Sequence, residues 1–179
     1  MPQLALPRRY SWLAEITAPR HLVEAIRLYG VQEHAARANN PAILAWAEEL
    51  GIDDVFLADS TPWCGLFAAL CVRRAGWEPV RNPLWALNWT RFGREADEPA
   101  LGDLLVFRRP GGGHIGFYVG EDDLAFHVLG GNQSDSVCVT RILRDRLAAS
   151  RRAPWRFAQP RAVRPIYLTA TGAISANEV

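Results

Sequence analysis

The chain has 179 residues, 49% of them hydrophobic and seven of them Trp, which is enough for one domain with a substantial core. Its 20 basic residues are all Arg and nearly balance 19 acidic ones, leaving a formal charge of +1; no whole-molecule field holds a nucleic acid, and the lack of Lys excludes Schiff-base lysine and P-loop chemistry. An odd number of cysteines (64, 71 and 138) argues against a disulfide framework, and with no apolar run long enough for a signal peptide or a bilayer span the chain reads as cytoplasmic when synthesised, without stable membrane insertion.

Up to about residue 50 the pattern is helical. Apolar residues at 22, 23, 25, 26 and 28 predict a helix over 21–29 ended by Gly30, and Pro41 opens a second that runs to Gly51. His21 and His34, among charged neighbours, read as surface histidines.

Residues 60–76, STPWCGLFAALCVRRAG, carry the best-punctuated helix signal: Ser60 or Thr61 as N-cap, Pro62 at the first helical position, Arg73 and Arg74 in the last turn and Gly76 as stop. Residues 77–98, rich in Trp, Pro and charge, predict an irregular connection with one helical turn near 85–92.

From Asp103 the period becomes that of strands, at 104–108, 114–120, 124–129 and 137–142, separated by turn sequences, which predicts an antiparallel meander. The Arg-rich stretch 141–152 reads as a helix or an exposed loop. PWRF and PIYL read as edge strands, and residues 171–179 as part of a mobile tail. The expected fold is therefore α+β, one domain over 1–170, with helices from about 12–76 packed on a small antiparallel sheet from about 103–168.

The chemistry concentrates in three places. Cys64 falls near the third position of the capped helix, where unpaired N–H groups and the positive end of the dipole favour a thiolate nucleophile and a developing oxyanion. Cys71, two turns further along the helix, reads as core, and Cys138 as an ordinary strand residue.

His114 opens a strand directly after three glycines, which leaves room around its ring, and alternation puts His114, Gly116 and Tyr118 on one face with Ile115, Phe117 and Val119 on the other. It is the candidate general base; His127, inside the next strand, is a rival. A base for cysteine needs a third group on its other ring nitrogen, and Asn132, after Gly130-Gly131 at the end of the neighbouring strand, is the candidate, with Gln133 and Asp135 as rivals and Gln133 otherwise a substrate contact. Ser60 or Thr61 could supply a second oxyanion donor, and Trp63, Trp85 and Trp89 could line a groove.

The runs PWCGLFAALCVRRAG, LGDLLVFRRPGGGHIGFYVGED and VLGGNQSDSVCV, in this order, resemble the NlpC/P60 and CHAP superfamily of cysteine peptidases, and its small phage-type members in particular. The likeness spans residues 30–167 and includes the upstream GVQEHAARANNPAI; the closing SANEV is similar to tails in that group. It implies a papain-like fold, a Cys64 nucleophile, a His114 base, a polar third residue at Asn132 and no cofactor or metal. It also implies peptidoglycan or its stem peptides as substrate, cleaved as an endopeptidase or as an N-acetylmuramoyl-L-alanine amidase, with phage-tail or particle partners; with no signal peptide read in the sequence, release is expected to depend on a holin, particle assembly or lysis. Gly65 after Cys64 departs from the family pattern, in which a slightly larger residue is usual.

Overall fold

The computed structural model describes residues 4–34, 38–155, 158–175 and 178. Three helices, α1 (Arg20–Arg27), α2 (Pro41–Leu50) and α3 (Cys64–Arg74), precede a six-stranded antiparallel sheet: β1 (Arg94–Glu95), β2 (Leu104–Arg109), β3 (Gly112–Glu121), β4 (Ala125–Gly130), β5 (Cys138–Leu143) and β6 (Leu147–Arg152). Short 3-10 turns lie at Arg8–Ala14, Ala86–Arg91 and Arg144–Arg146. This is the expected α+β arrangement, and among the described residues no helix is long and apolar enough to cross a membrane.

Local chemistry accounts for both ends of α2 and the end of α3. Asn40 caps α2 by accepting from the Ala42 N–H at 2.8 Å, Pro41 stands at the first helical position, and Gly51 closes the helix at φ 68°. At the end of α3, Gly76 at φ 89° lets the Trp77 N–H reach Val72 O and its own N–H reach Arg73 O, the paired bonds of a Schellman stop.

The start of α3 differs from expectation. Ser60 and Thr61 lie in a turn before the helix, Pro62 stays outside it, and the N-cap is Trp63 at φ −115°, ψ 14°, with no side-chain cap. The reason is packing: the Trp63 ring is fully buried, edge-on to Trp46 and close to Gly131, and this anchor fixes where the chain enters the helix. Cys64 is consequently the first residue of the helix rather than the third.

The sheet order is β1-β6-β2-β3-β4-β5, so β2 to β5 form the expected meander. Residues expected to be a helix or loop after 141 instead complete β5, turn at Arg144–Arg146 and form β6, which pairs with β2 at the other side. LAASRR, with two small alanines and a buried Ser150, carries too little apolar contrast to read as a strand by itself.

The two faces of the sheet separate as alternation requires. Ile115, Phe117, Val119, Leu104 and Val106 pack in the main core with α1, α2 and α3, while Leu105, Phe107, Tyr118, Phe126 and Val128 form a second cluster behind them. All residues from Cys64 to Val72 are buried, so α3 is the central element of the main core, and truncating Leu66 or Leu70 would cost about 2–5 kcal/mol each.

His21 is a correction: it is 1% exposed, sits among Trp77 and Phe117 and bonds Gly102 O at 2.6 Å, while His34 is exposed as expected. The edge strand expected at PWRF falls partly on residues outside those described; at PIYL, Ile166–Leu168 runs beside Glu121 through Glu121 N–H to Ile166 O and Leu168 N–H to Glu121 O, without extending to a strand. The described residues of the tail are docked rather than free, through Arg141 to Gly172 O, Ser175 N–H to Arg141 O and Arg146 to Glu178.

Candidate active site

Cys64 stands at the N-terminus of α3, where the missing side-chain cap leaves backbone N–H donors unclaimed by a Ser or Thr oxygen. Its thiol lies against the Ile115 N–H, one residue along β3 from His114. It is only 3% exposed, and burial pushes the thiol above its ordinary value, outweighing the Ile115 N–H, the Arg109 charge and the N–H groups of Gly65 and Cys64, which favour the anion. The expectation of a thiol biased to thiolate is therefore corrected for the resting state: desolvation wins over the helix terminus.

Gly65 has a steric reason. A Cβ there would stand 2.1 Å from Pro83 O, so the segment leading to Trp85 can cross α3 at the nucleophile only because position 65 has no side chain.

His114 is 1% exposed, and burial lowers its pKa to about 4; Glu178 and the Gln133 hydrogen bond act upward, Arg109 and Arg146 downward. Its Nε2 lies 3.0 Å from Gln133 Oε1. The hydrogen bonds of the described residues join His114 to Gln133 and do not join it to Cys64.

The tautomer follows from Gln133. Its Nε2 donates to Val128 O at 3.1 Å and to Cys138 O at 2.6 Å, and carbonyl oxygens only accept. The amide orientation is thereby set, Oε1 faces His114, and His114 Nε2 must be the N–H that donates to it. The basic lone pair of His114 is left on Nδ1.

This is the position in which Asn132 was expected. Asn132 is instead buried at φ 55° with its Oδ1 unpartnered among the described residues, and Gln133, the rival, reaches the ring. Among the described residues Asp135 makes no hydrogen bond to His114; its backbone carbonyl accepts from the Glu33 N–H at 2.8 Å.

The loop that carries these residues is tightly held. Asn132, Ser134 and Asp135 all have left-handed backbone, Ser136 accepts from the Gln133 N–H at 3.0 Å, and Val137 pairs with Gly30 and Val31. Gly130 is needed beside them, because a Cβ there would come within 2.7 Å of Gln133 Oε1 and 3.2 Å of His114 Nε2.

Cys138 has a part that its strand position did not reveal: its carbonyl takes the Gln133 amide, and its Sγ donates to Gln133 O at 3.3 Å. A six-residue gap between a glycine pair and the next strand was the available signal, since it returns the Cys138 backbone to the start of the loop. All three cysteines are free.

Of the three tryptophans, Trp63 and Trp89 are fully buried, with Nε1 donating to Glu33 Oε1 at 2.7 Å and Pro83 O at 2.9 Å, which corrects their expected place in a groove. Trp85 is 57% exposed and remains available to a ligand. Ser60, exposed, and Ser134 and Asp135 border a cleft of about 750 Å³ that also includes Glu33 and Asp59. The cleft thus lies between the turn that leads to Cys64 and the loop that carries Gln133.

His127, the rival base, is committed elsewhere. Its Nδ1 accepts from Tyr10 OH at 2.7 Å and its Nε2 donates to Asp122 at 2.8 Å, while Arg141 holds the same carboxylate well below the usual range. With both ring nitrogens occupied, it has no lone pair to offer a substrate. Among the described residues no cluster of three or more His, Cys, Asp or Glu side chains could hold a metal ion.

No family model matches this chain, and no curated protein matches it.

Proposed function

We propose that this protein is a cysteine amidohydrolase with Cys64 as nucleophile, His114 as general base and Gln133 as the group that orients His114. The observation that carries this reading is the fixed tautomer: Gln133, locked by Val128 O and Cys138 O, leaves the basic nitrogen of His114 on Nδ1, the arrangement a thiol–imidazole catalyst requires. The resting pair is neutral, because burial raises the thiol and lowers the imidazole. Nδ1 takes the thiol proton as sulfur attacks the scissile carbonyl, and the Cys64 N–H at the uncapped helix end faces the developing oxyanion. The imidazolium then protonates the leaving amine, and water deprotonated by His114 hydrolyses the acyl-enzyme.

The substrate assignment, an amide bond of peptidoglycan, rests on the likeness of three motifs to NlpC/P60 and CHAP enzymes, as do the papain-like topology and a phage, prophage or gene-transfer-agent setting. Mass spectrometry of purified muropeptides after digestion tests it: cleavage of the stem peptide or of the muramoyl–alanine amide, lost in Cys64→Ala, is expected. Intact muropeptides with hydrolysis of another amide or ester would leave the mechanism and refute the substrate.

One observation favours a second reading, a catalytically silent wall-binding or particle protein of the same fold: Cys64 and His114 are 3% and 1% exposed. Binding to purified walls without any release of fragments would select it.

A further inference from the structure

The described tail residue Glu178 places a carboxylate in the neighbourhood of His114. Glu178 has a fully buried side chain and forms a two-pronged pair with Arg146, at 2.8 and 2.6 Å. Arg146 is itself anchored, its Nε donating to Arg108 O at 3.2 Å, and Arg108 pairs in the β2–β3 register with Gly113, the residue before His114.

The direction of approach matters. Arg146 belongs to the turn that crosses the second face of the sheet, where Arg144 lies over the Phe126 ring and Leu147 joins the second cluster. Alternation puts His114 on that same face, with Tyr118. Glu178, held by Arg146, therefore lies on the same side of the sheet as the His114 ring.

A buried carboxylate is costly unless its charge is used, and Arg146 satisfies it through two hydrogen bonds. Held in this way, the carboxylate still acts on a histidine that must carry a proton for part of each turnover. The other groups that act on the ring are Gln133, which is neutral, and the Arg109 and Arg146 cations, which oppose protonation. Glu178 is the carboxylate among them.

We infer that Glu178 is a positioning residue for the reaction proposed above: through Arg146 it is held beside the start of β3, near His114, where its charge stabilises the imidazolium that forms as Cys64 attacks. The inference rests on the reading of Cys64 and His114 as a catalytic pair. Glu178 is on this account part of the active site.

The test is Glu178→Gln, which keeps the shape and removes the charge, read in two ways. The His114 imidazole, followed by NMR, should titrate about one unit lower than in the wild type, and muropeptide hydrolysis should fall on the order of tenfold in kcat with KM unchanged and its acidic limb moved to lower pH. Glu178→Asp should restore much of both. An unchanged His114 titration in a folded Glu178→Gln protein overturns the inference.

If that variant does not fold, the reciprocal measurement decides. The Glu178 carboxyl should titrate higher in His114→Gln than in the wild type, and an unchanged midpoint overturns the coupling. A wild-type protein that hydrolyses neither muropeptides nor any other amide or ester sinks the catalytic reading instead, while the NMR titrations still report whether Glu178 acts on His114.

Discussion

His114 Nε2 donates to Gln133 Oε1 at 3.0 Å, and Gln133 cannot turn its amide over, because its NH2 is held by the Val128 and Cys138 carbonyls. A side chain fixed by two acceptors thus dictates which nitrogen of a neighbouring histidine is basic.

Replacing Gln133 should therefore damage activity more than replacing Asn132. Gln133→Leu removes the acceptor and frees the imidazole to change tautomer, with a loss on the order of 10²-fold in kcat. Asn132→Ala removes an amide that makes no bond to His114 and should cost less. Steady-state hydrolysis of muropeptides by both variants checks the order, and equal losses would return Asn132 to the site.

The thiol of Cys64 should be protonated at neutral pH. Its pKa is raised by burial and that of His114 is lowered to about 4, so neither group is driven to form an ion pair at rest. Absorbance at 240 nm should stay flat between about pH 4 and 8, with Cys64→Ala as the control. A step in that window belonging to Cys64 would establish a thiolate and with it the opposite resting state.

Acid should destabilise the fold through two buried histidines. His21 and His114 both have a folded pKa lowered to about 4 from 6.5. The unfolded chain takes up protons below about pH 6.5 while the native state does not, so their contribution is complete above that value and falls as pH drops toward 4. Urea unfolding should lose on the order of a few kcal/mol between pH 7 and 4.5, and His21→Gln should flatten part of that slope.

Gly65→Ala should destabilise the protein by about 1–3 kcal/mol and impair the site, since its methyl would meet Pro83 O at 2.1 Å and push away the segment that ends in Trp85. Thermal denaturation measures the first effect and the rate of wall hydrolysis the second. A variant with wild-type stability would mean that residues 83–85 yield freely.

Much of this molecule is legible in local order. Asn40-Pro41 and Gly51 bracket α2, Gly76 ends α3, and the switch to alternation after Asp103 announces the meander. Cys64 and His114 stood out because each is tied to local punctuation, a helix start and a glycine run. These signals act within a turn or two of the chain, so they survive without knowledge of the fold.

What tertiary structure decided lies across larger separations. Burial of Trp63 moved the start of α3 past Ser60 and Pro62, and water exclusion reversed the expected titration of Cys64. The choice between Asn132 and Gln133 depended on carbonyls of β4 and β5 that no spacing rule locates. Glu178, expected in a mobile tail, reached its buried place through Arg146, 32 residues away. The sequence by itself determined which reactive groups the chain carries and where helices and strands begin; their ionisation, orientation and partners were settled by burial and by long-range hydrogen bonds, which exist only once the chain has folded.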